Sequence, residues 1–425
     1  MSSFLFTLWA GGGNVPPQLA LARRLTARGH QARVLAPAVL RQKVVAAGAI
    51  YEPYDQTPEH DEAVPERSLL RDFDARTPMG ALTAARNRLL VGLAAPIAAD
   101  AGAVLEREAI DVVAPDWMLL GALYAAERAG VPAAPLVHSV PSLPVDGMPA
   151  FGFGWTPATG PLGRVRDAIG RQGFERMLAG PLLQPLNEVR RRLGLRPLDW
   201  AFAPLFAAER MLVLTSAAFD YPADFPANVQ YVGPQLEDAE WHAPWAPPWS
   251  EHDTRPLVVV GLSTTYQAHE GLLHDVVRAV GRLPVRALVT TGAGVAAPAG
   301  PGNVHVETFV PHARVLPYAD AVVTHAGHGT TVAALAHGVP LVCLPISRDQ
   351  PDIAARVAWH KAGIRLRGPK TPTRIAAAIA RVLGDDAYRR SAGRLAAAIA
   401  HEAPERRGVE ALEQIATAVP AQRQA

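Results

Sequence analysis

The segment Ala321–Val357, AVVTHAGHGTTVAALAHGVPLVCLPISRDQPDIAARV, constrains the fold more than any other part of this chain. Its first residues, Ala321–Thr324, read as a buried strand that delivers His325 to a turn containing Gly327 and Gly329. A helix is expected from Thr330 to about His337, and Gly338 and Pro340 stop it in the order that helix ends favour. Leu341–Leu344 is then a second strand, and the Pro345–Arg348 loop leads from it to Asp349 and Gln350. Strand, glycine turn, helix and strand together form the unit of a parallel α/β sheet. Glycines let backbone N–H groups approach a ligand closely. The amino end of the helix adds unpaired donors and the positive end of its dipole. Such a turn suits a diphosphate.

The same alternation runs through much of the chain. Phe4–Trp9 and Ala32–Ala36 read as strands around a helix Pro17–Arg28. Ile110–Ala114 reads as a strand before a helix Leu119–Ala129. The pattern loosens between Pro53 and Ala109 and from Val140 to Ala208, and long excursions of this kind are where variable ligands are usually held. It restarts at Leu257–Gly261, after the Trp- and Pro-rich stretch EWHAPWAPPW at Glu240–Trp249, which reads as a linker. The expected fold class is therefore α/β, with two doubly wound domains, residues 1–235 and 256–400, joined by 236–255. Facing sheets of this type place a cleft between their carboxyl ends.

The chain is 425 residues long, 49% hydrophobic and 19% charged, which is globular rather than disordered. Lys plus Arg is 41 against 39 for Asp plus Glu, so there is no footprint for nucleic acid or an anionic membrane. Cys343 is the one cysteine and lies in an apolar run, so a buried core thiol is expected and no internal disulfide can form. The start, MSSFLFTLW, suits a first buried strand better than a signal peptide, and no apolar run reaches membrane-spanning length. A cytoplasmic protein, monomeric or homodimeric and without stable membrane insertion, is the expectation.

Several turns carry candidate chemistry. After the first strand, Ala10–Pro17 reads AGGGNVPP; Pro16 stands where a dinucleotide fingerprint needs its third glycine, and no acidic residue ends the second strand. The polar residue there is Asn14. Asp116 follows Ile110–Ala114 and is either a helix cap or, beside Asn14 at the same sheet edge, part of an acid–base centre. His325 and His328 at i, i+3 with no nearby carboxylate or cysteine make a weak metal set. As a phosphate reader, His325 could donate a charge-assisted hydrogen bond, with Thr330 and Thr331 adding hydroxyls and N–H groups. Asp349 and Gln350 suit sugar hydroxyls, although Asp349 could equally cap the helix that follows. Trp117, Met148, Phe151, Phe153 and Trp155 are aromatic or soft apolar residues in the excursions, fit either for an apolar acceptor or for core packing.

These residues resemble family 1 nucleotide-sugar glycosyltransferases of the GT-B fold, especially actinobacterial ones that decorate natural products. The likeness covers nearly the whole chain and is most specific from Phe309 to Ala354. The family's aromatic-x-Pro-Gln/His reads Phe309-Val310-Pro311-His312. Its His-Gly-Gly-x-Gly-Thr reads His325-Ala326-Gly327-His328-Gly329-Thr330, and its Asp-Gln is Asp349-Gln350. The resemblance implies that Phe309 lies against the base and the Val310 backbone pairs with its edge. It implies that His325 and the Gly329–Thr331 backbone hold the diphosphate, and that Asp349 and Gln350 bind the sugar. Ser263 and Thr264 match the family's Gly-Ser/Thr turn, with Ser in place of Gly. The resemblance also implies that residues 401–425 form a helix folding back over the first domain.

The departure is Asn14. Pro17, Leu19 and Leu21 align with the family's Gly-His-x-x-Pro-x-Leu-x-Leu pattern and put Asn14 where the catalytic His stands, with Asp116 at its carboxylate partner. An amide cannot act as a general base near neutral pH. Asp116 could be the base itself, the acceptor could be acidic enough to need little help, His138 could take over, or the protein could be a silent homologue that binds a nucleotide sugar or a partner transferase. The expected activity is inverting transfer from a UDP- or dTDP-sugar to a mostly apolar polyketide or aromatic acceptor, without a metal or other cofactor.

Overall fold

The computed structural model describes residues 1–75, 77–141, 143–263, 265–292 and 299–422. Thr264, a candidate phosphate-site residue, lies outside them. Among the described residues every strand pairing is parallel. The first sheet orders β3 (Ile50–Pro53), β2 (Gln31–Ala36), β1 (Ser3–Thr7) and β4 (Val112–Pro115). Isolated bridges Val113–Ala133 and Asp116–Leu136 carry it on to β5 (Leu136–Val137), β6 (Met211–Val213) and β7 (Val229–Tyr231). The second sheet orders β10 (Val304–Glu307), β9 (Arg286–Thr290), β8 (Leu257–Gly261), β11 (Ala321–Thr324), β12 (Leu341–Cys343) and β13 (Gly363–Arg365).

Both sheets are doubly wound GT-B halves in which the chain reverses direction across the sheet, between β1 and β4 in the first and between β8 and β11 in the second. Ligands of such sheets bind outside the strand ends at that reversal. The register puts Thr7 beside Pro115 and Gly261 beside Thr324, so Asn14 and Asp116 leave one reversal point while the loops after Gly261 and Thr324 leave the other.

Helices cover the sheets: α1 (Val15–Ala27), α2 (Ala94–Arg107), α3 (Leu120–Ala129), α4 (Glu270–Val280), α5 (His328–Ala336), α6 (Gln350–Trp359) and α7 (Pro404–Gln422). Val409, Leu412 and Ile415 of α7 share one core with Phe4 and Phe6 of β1 and Leu21 and Leu25 of α1. The last helix thus packs on the first domain, and Glu413 pairs with Arg28 at 2.9 Å. Cys343 is fully buried, which pushes its thiol up to about 12. Among the described residues one helical stretch, Met79–Arg107, is long and apolar enough to cross a membrane; its most apolar 18 residues have a mean hydropathy of 1.6, and half of them are buried in the fold. The sequence reading found no such run, because a π-helical turn at Arg86–Val91 carries two arginines through its middle.

The two halves meet along α6. Arg356 donates to Asp220 at 2.7 Å with both side chains buried, and its guanidinium lies 4.2 Å from the Tyr221 ring centroid. Asp352, one turn earlier, accepts the Gly152 N–H at 2.6 Å and the Gly154 N–H at 2.7 Å. Burial pushes the Asp352 carboxyl up, the two N–H groups pull against it, and it comes to rest at about 6.

Removing one member of a buried pair strands the other charge. Arg356→Ala should therefore cost about 3–5 kcal/mol, read as an earlier midpoint in urea unfolding. A cost under about 1 kcal/mol would show that this contact does not hold the halves together.

Candidate active site

Asn14 stands at the N-cap position of α1, yet its side chain makes no capping bond. Its Nδ2 donates instead to the Trp9 carbonyl at 3.0 Å and to Asp116 Oδ2 at 3.0 Å. Gln18, one helical turn on and so on the same face, donates to the same oxygen at 2.8 Å. Asp116 Oδ1 accepts the Met118 N–H at 3.1 Å in the turn ahead of α3, whose N-cap is Leu119, so Asp116 is not the helix cap. Asp116 is wholly buried.

His138 completes the cluster. It follows β5, and its Nδ1 lies 3.1 Å from Asp116 Oδ2. That is an ion-pair distance, but the carboxylate sits off the direction of the ring N–H, so Nδ1 has no directed hydrogen bond. Burial alone would push the His138 imidazole down; the Asp116 carboxylate, with Asp349 behind it, more than reverses this and holds it above the usual 6.5. For Asp116, burial raises the carboxyl, and the His138 charge and contact, the Met118 N–H and the Asn14 amide outweigh it and hold it low. A buried carboxylate kept low is a poor proton acceptor, whereas a partly exposed imidazole held high by that carboxylate is a good one.

The donor side is built differently. His325 is buried at the end of β11, and burial pushes it down to about 3, helped by His269 and Arg348. Its ring is therefore neutral in the free protein and hydrogen-bonds the Gly261 backbone, in place of the charge-assisted donor expected from the sequence. His328 opens α5, two residues earlier than the Thr330 start expected, and it too is pushed to about 3 by burial. Among the described residues no group of three or more His, Cys, Asp or Glu side chains could hold a metal. Gly329, Thr330 and Thr331 lie in the first turn of α5. Ser263 Oγ accepts from the Thr265 N–H at 3.1 Å and from Gln267 at 2.8 Å.

Asp349 makes no capping bond to α6; its Oδ2 accepts the Ser139 hydroxyl at 2.6 Å across the cleft. Gln350 departs from the expected sugar contact. It is buried, its Oε1 accepts the N–H groups of Ile346 and Ser347 at 2.7 and 3.0 Å, and its Nε2 donates to Gln267 at 2.9 Å, so it shapes the loop. Phe309 is 65% exposed, free to receive a flat ring, while Val310 is buried in the second core.

The acceptor-side aromatics divide. Phe153 stacks on Trp155 at 4.5 Å, and the Arg166 guanidinium covers Trp155 at 4.8 Å. Met148 is buried with its sulfur 3.6 Å from Arg356 Nη2. With Gly152 and Gly154 held by Asp352, the Met148–Trp155 segment, Phe151 included, is tied to α6 of the second half rather than standing open as a pocket wall. Trp117 packs against the core beneath α3, and its buried indole N–H has no partner. Sequence reasoning missed Gln18, Ser139, Asp352 and Arg348. The i, i+4 spacing from Asn14 could have found Gln18; the others act across the cleft and leave no local signal.

Residues 296–414 match the family model described as erythromycin biosynthesis protein CIII-like, C-terminal domain. The 4'-demethylrebeccamycin synthase of Lentzea aerocolonigenes is 33% identical over 393 residues, covering 91% of this chain and 92% of that protein. The glycotransferase of kitacinnamycin superposes with a TM-score of 0.72 at 21% identity over 97% of this chain and 98% of its own. The glycosyltransferase VinC in complex with dTDP does so at 0.67 and 20% over 97% and 98%.

Gly327 is fixed by its neighbour: a Cβ there would stand 2.6 Å from the His325 ring. Gly327→Ala should therefore displace that ring and weaken nucleoside diphosphate binding at least about tenfold, or about 1.4 kcal/mol, measured by titration calorimetry. Unchanged affinity would mean the ring does not contact the ligand.

Proposed function

Because the chain belongs to the GT-B glycosyltransferases of natural-product biosynthesis, we propose that it moves a sugar from a UDP- or dTDP-sugar to a mostly apolar acceptor with inversion, using His138 as the general base. The observation that carries this is the 3.1 Å approach of His138 to Asp116 in a site where Asn14 occupies the position of the family's histidine. Asn14 keeps the hydrogen bond to Asp116 that an imidazole N–H would make, but it has no basic nitrogen. His138 supplies one from another strand end. A small rotation of the ring would turn Nδ1–H to Asp116 and leave Nε2 as the proton acceptor.

In this reading the acceptor's O–H or N–H gives its proton to His138 Nε2 as its heteroatom attacks the anomeric carbon from the face opposite the diphosphate. The bond from that carbon to the diphosphate oxygen breaks, and the nucleoside diphosphate leaves with the electron pair. The N–H groups at the amino end of α5 would face the charge that develops on the leaving group without reorganising, with the His325 ring beside them held by the Gly261 backbone. These donors would serve the leaving group without a metal. Asp349 faces the sugar once Ser139 releases it. Phe309 receives the base, consistent with the dTDP that VinC holds on the same fold.

Mass-spectrometric turnover of UDP- and dTDP-sugars against phenolic, amide and polyketide acceptors tests the reading. Product from the wild type should fall about 10²- to 10⁴-fold in kcat in His138→Ala, with donor affinity little changed. Since His138 must be unprotonated to work and its pKa is raised, kcat/KM should climb with pH through an inflection above 6.5. Asp116→Asn should move that inflection to lower pH. For stability the sign is opposite: the His138–Asp116 pair contributes fully below the unfolded histidine's pKa, and the contribution is lost as pH rises through the raised one. Donor binding without product across the whole panel would count against transfer.

A further inference from the structure

His269 lies at the second reversal point, in the loop that leaves β8, and it stands at the N-cap position of α4 without making a capping bond. It is 3% exposed, and neither Nδ1 nor Nε2 has a hydrogen-bond partner. A neutral imidazole carries one N–H donor and one lone pair, and a ring buried for packing finds a partner for at least one of them. His269 has none.

Its surroundings say what the partner is. Gly261 and Thr324 are neighbours in register, so the loop carrying His269 and the turn carrying His325 leave the same sheet edge side by side. The two rings are close enough to sense each other's charge. Each is set by a residue with a left-handed backbone: Ala268, φ 50°, immediately before His269, and Ala326, φ 69°, immediately after His325. Alanine adopts this conformation at a cost, and such strain collects where a side chain must be aimed. The amino ends of α4 and α5, eleven and nine residues long, converge on the same place and add positive dipole ends. The hydroxyls and amide of the intervening loop are already engaged with one another through Ser263, Thr265 and Gln267. The His325 ring is engaged with the Gly261 backbone, so the ring left without a partner is that of His269.

We propose that His269 is a second histidine of the donor diphosphate site, donating a ring N–H to a phosphate oxygen opposite His325. This rests on the glycosyltransferase reading and adds a contact to it. Burial keeps His269 neutral, so the bond is made without bringing a second cation beside Arg348.

Calorimetric titration with dTDP, UDP and dTMP tests the proposal on the wild type, His269→Ala, His269→Gln and His325→Ala. His269→Ala should weaken diphosphate binding about tenfold or more while dTMP, which lacks the second phosphate, changes far less. His269→Gln, which restores an N–H donor, should recover part of the loss, a result that a packing role would not give. Unchanged dTDP and UDP affinity in His269→Ala, with affinity lost in His325→Ala, overturns the proposal and leaves the glycosyltransferase reading standing. A wild type that binds neither diphosphate overturns both. If His269→Ala unfolds, long-range ¹H–¹⁵N spectra of the wild-type histidine rings decide: the His269 nitrogens should shift on adding dTDP, and their failure to move overturns the proposal.

Discussion

The first half of this protein is organised around one buried carboxylate. Asp116 is fully removed from water, where an isolated charge would cost several kcal/mol or more. It remains ionised because Asn14, Gln18, the Met118 N–H and His138 all converge on it. Those partners come from the turn after β1, from α1, from the start of α3 and from the end of β5. The charge therefore fixes the relation of four elements. It also explains why the N-cap residue of α1 gives up its capping bond: an unmet carboxylate costs more than an unmet helix N–H, which water or a bent turn can satisfy.

The histidines of the cleft are sorted by that same electrostatics. On the acceptor side, His138 stands between two carboxylates and is held above its usual value. On the donor side, burial, with Arg348 near one ring and Arg356 near the other, holds His325 and His328 at about 3. The same side chain thus has two opposite tendencies on the two sides of one cleft. A base must accept a proton and then lose it near neutral pH. A phosphate ligand need only donate a hydrogen bond, and a neutral ring does that without the repulsion that several charged histidines would create. The sorting follows from placement alone: acidic residues end strands of the first sheet and the loop after β12, while glycines and helix amino ends face the second reversal point.

How much of this the sequence declares depends on how local the cause is. The β11 strand is legible to the residue, because three apolar residues and a β-branched threonine before a glycine turn admit one reading, and the helix after it starts two positions early. The short strands β5, β6 and β7, two or three residues each, are not legible, since nothing in so short a run distinguishes strand from loop. For the site, the motif residues could be named, but their partners could not. Asn14 and Asp116 are 102 positions apart, and only the register of β1 on β4 brings them together. Gln350 shows the opposite failure: a motif position was legible, but its side chain holds the Ile346–Ser347 turn. His269 has no motif and no periodic context; only its unmatched nitrogens mark it.

The cleft is shut by contacts made from site residues. Ser139 holds Asp349, and Arg348, at a left-handed φ of 59°, makes a two-point contact to Asp72 at 2.7 and 2.9 Å while also donating to Thr265 at 3.2 Å. Tyr266 donates its backbone N–H to the Glu62 carbonyl at 2.9 Å, and Phe73 meets the Tyr266 ring edge-on. A ligand that takes Asp349 must displace Ser139, and one that enters past the Ser263–Gln267 loop must part Tyr266 from Glu62. The Ser139–Asp349 and Tyr266–Glu62 contacts are single hydrogen bonds, whereas Arg348–Asp72 is a two-point ion pair, and the Arg356–Asp220 pair and the Asp352 clamp lie buried along α6.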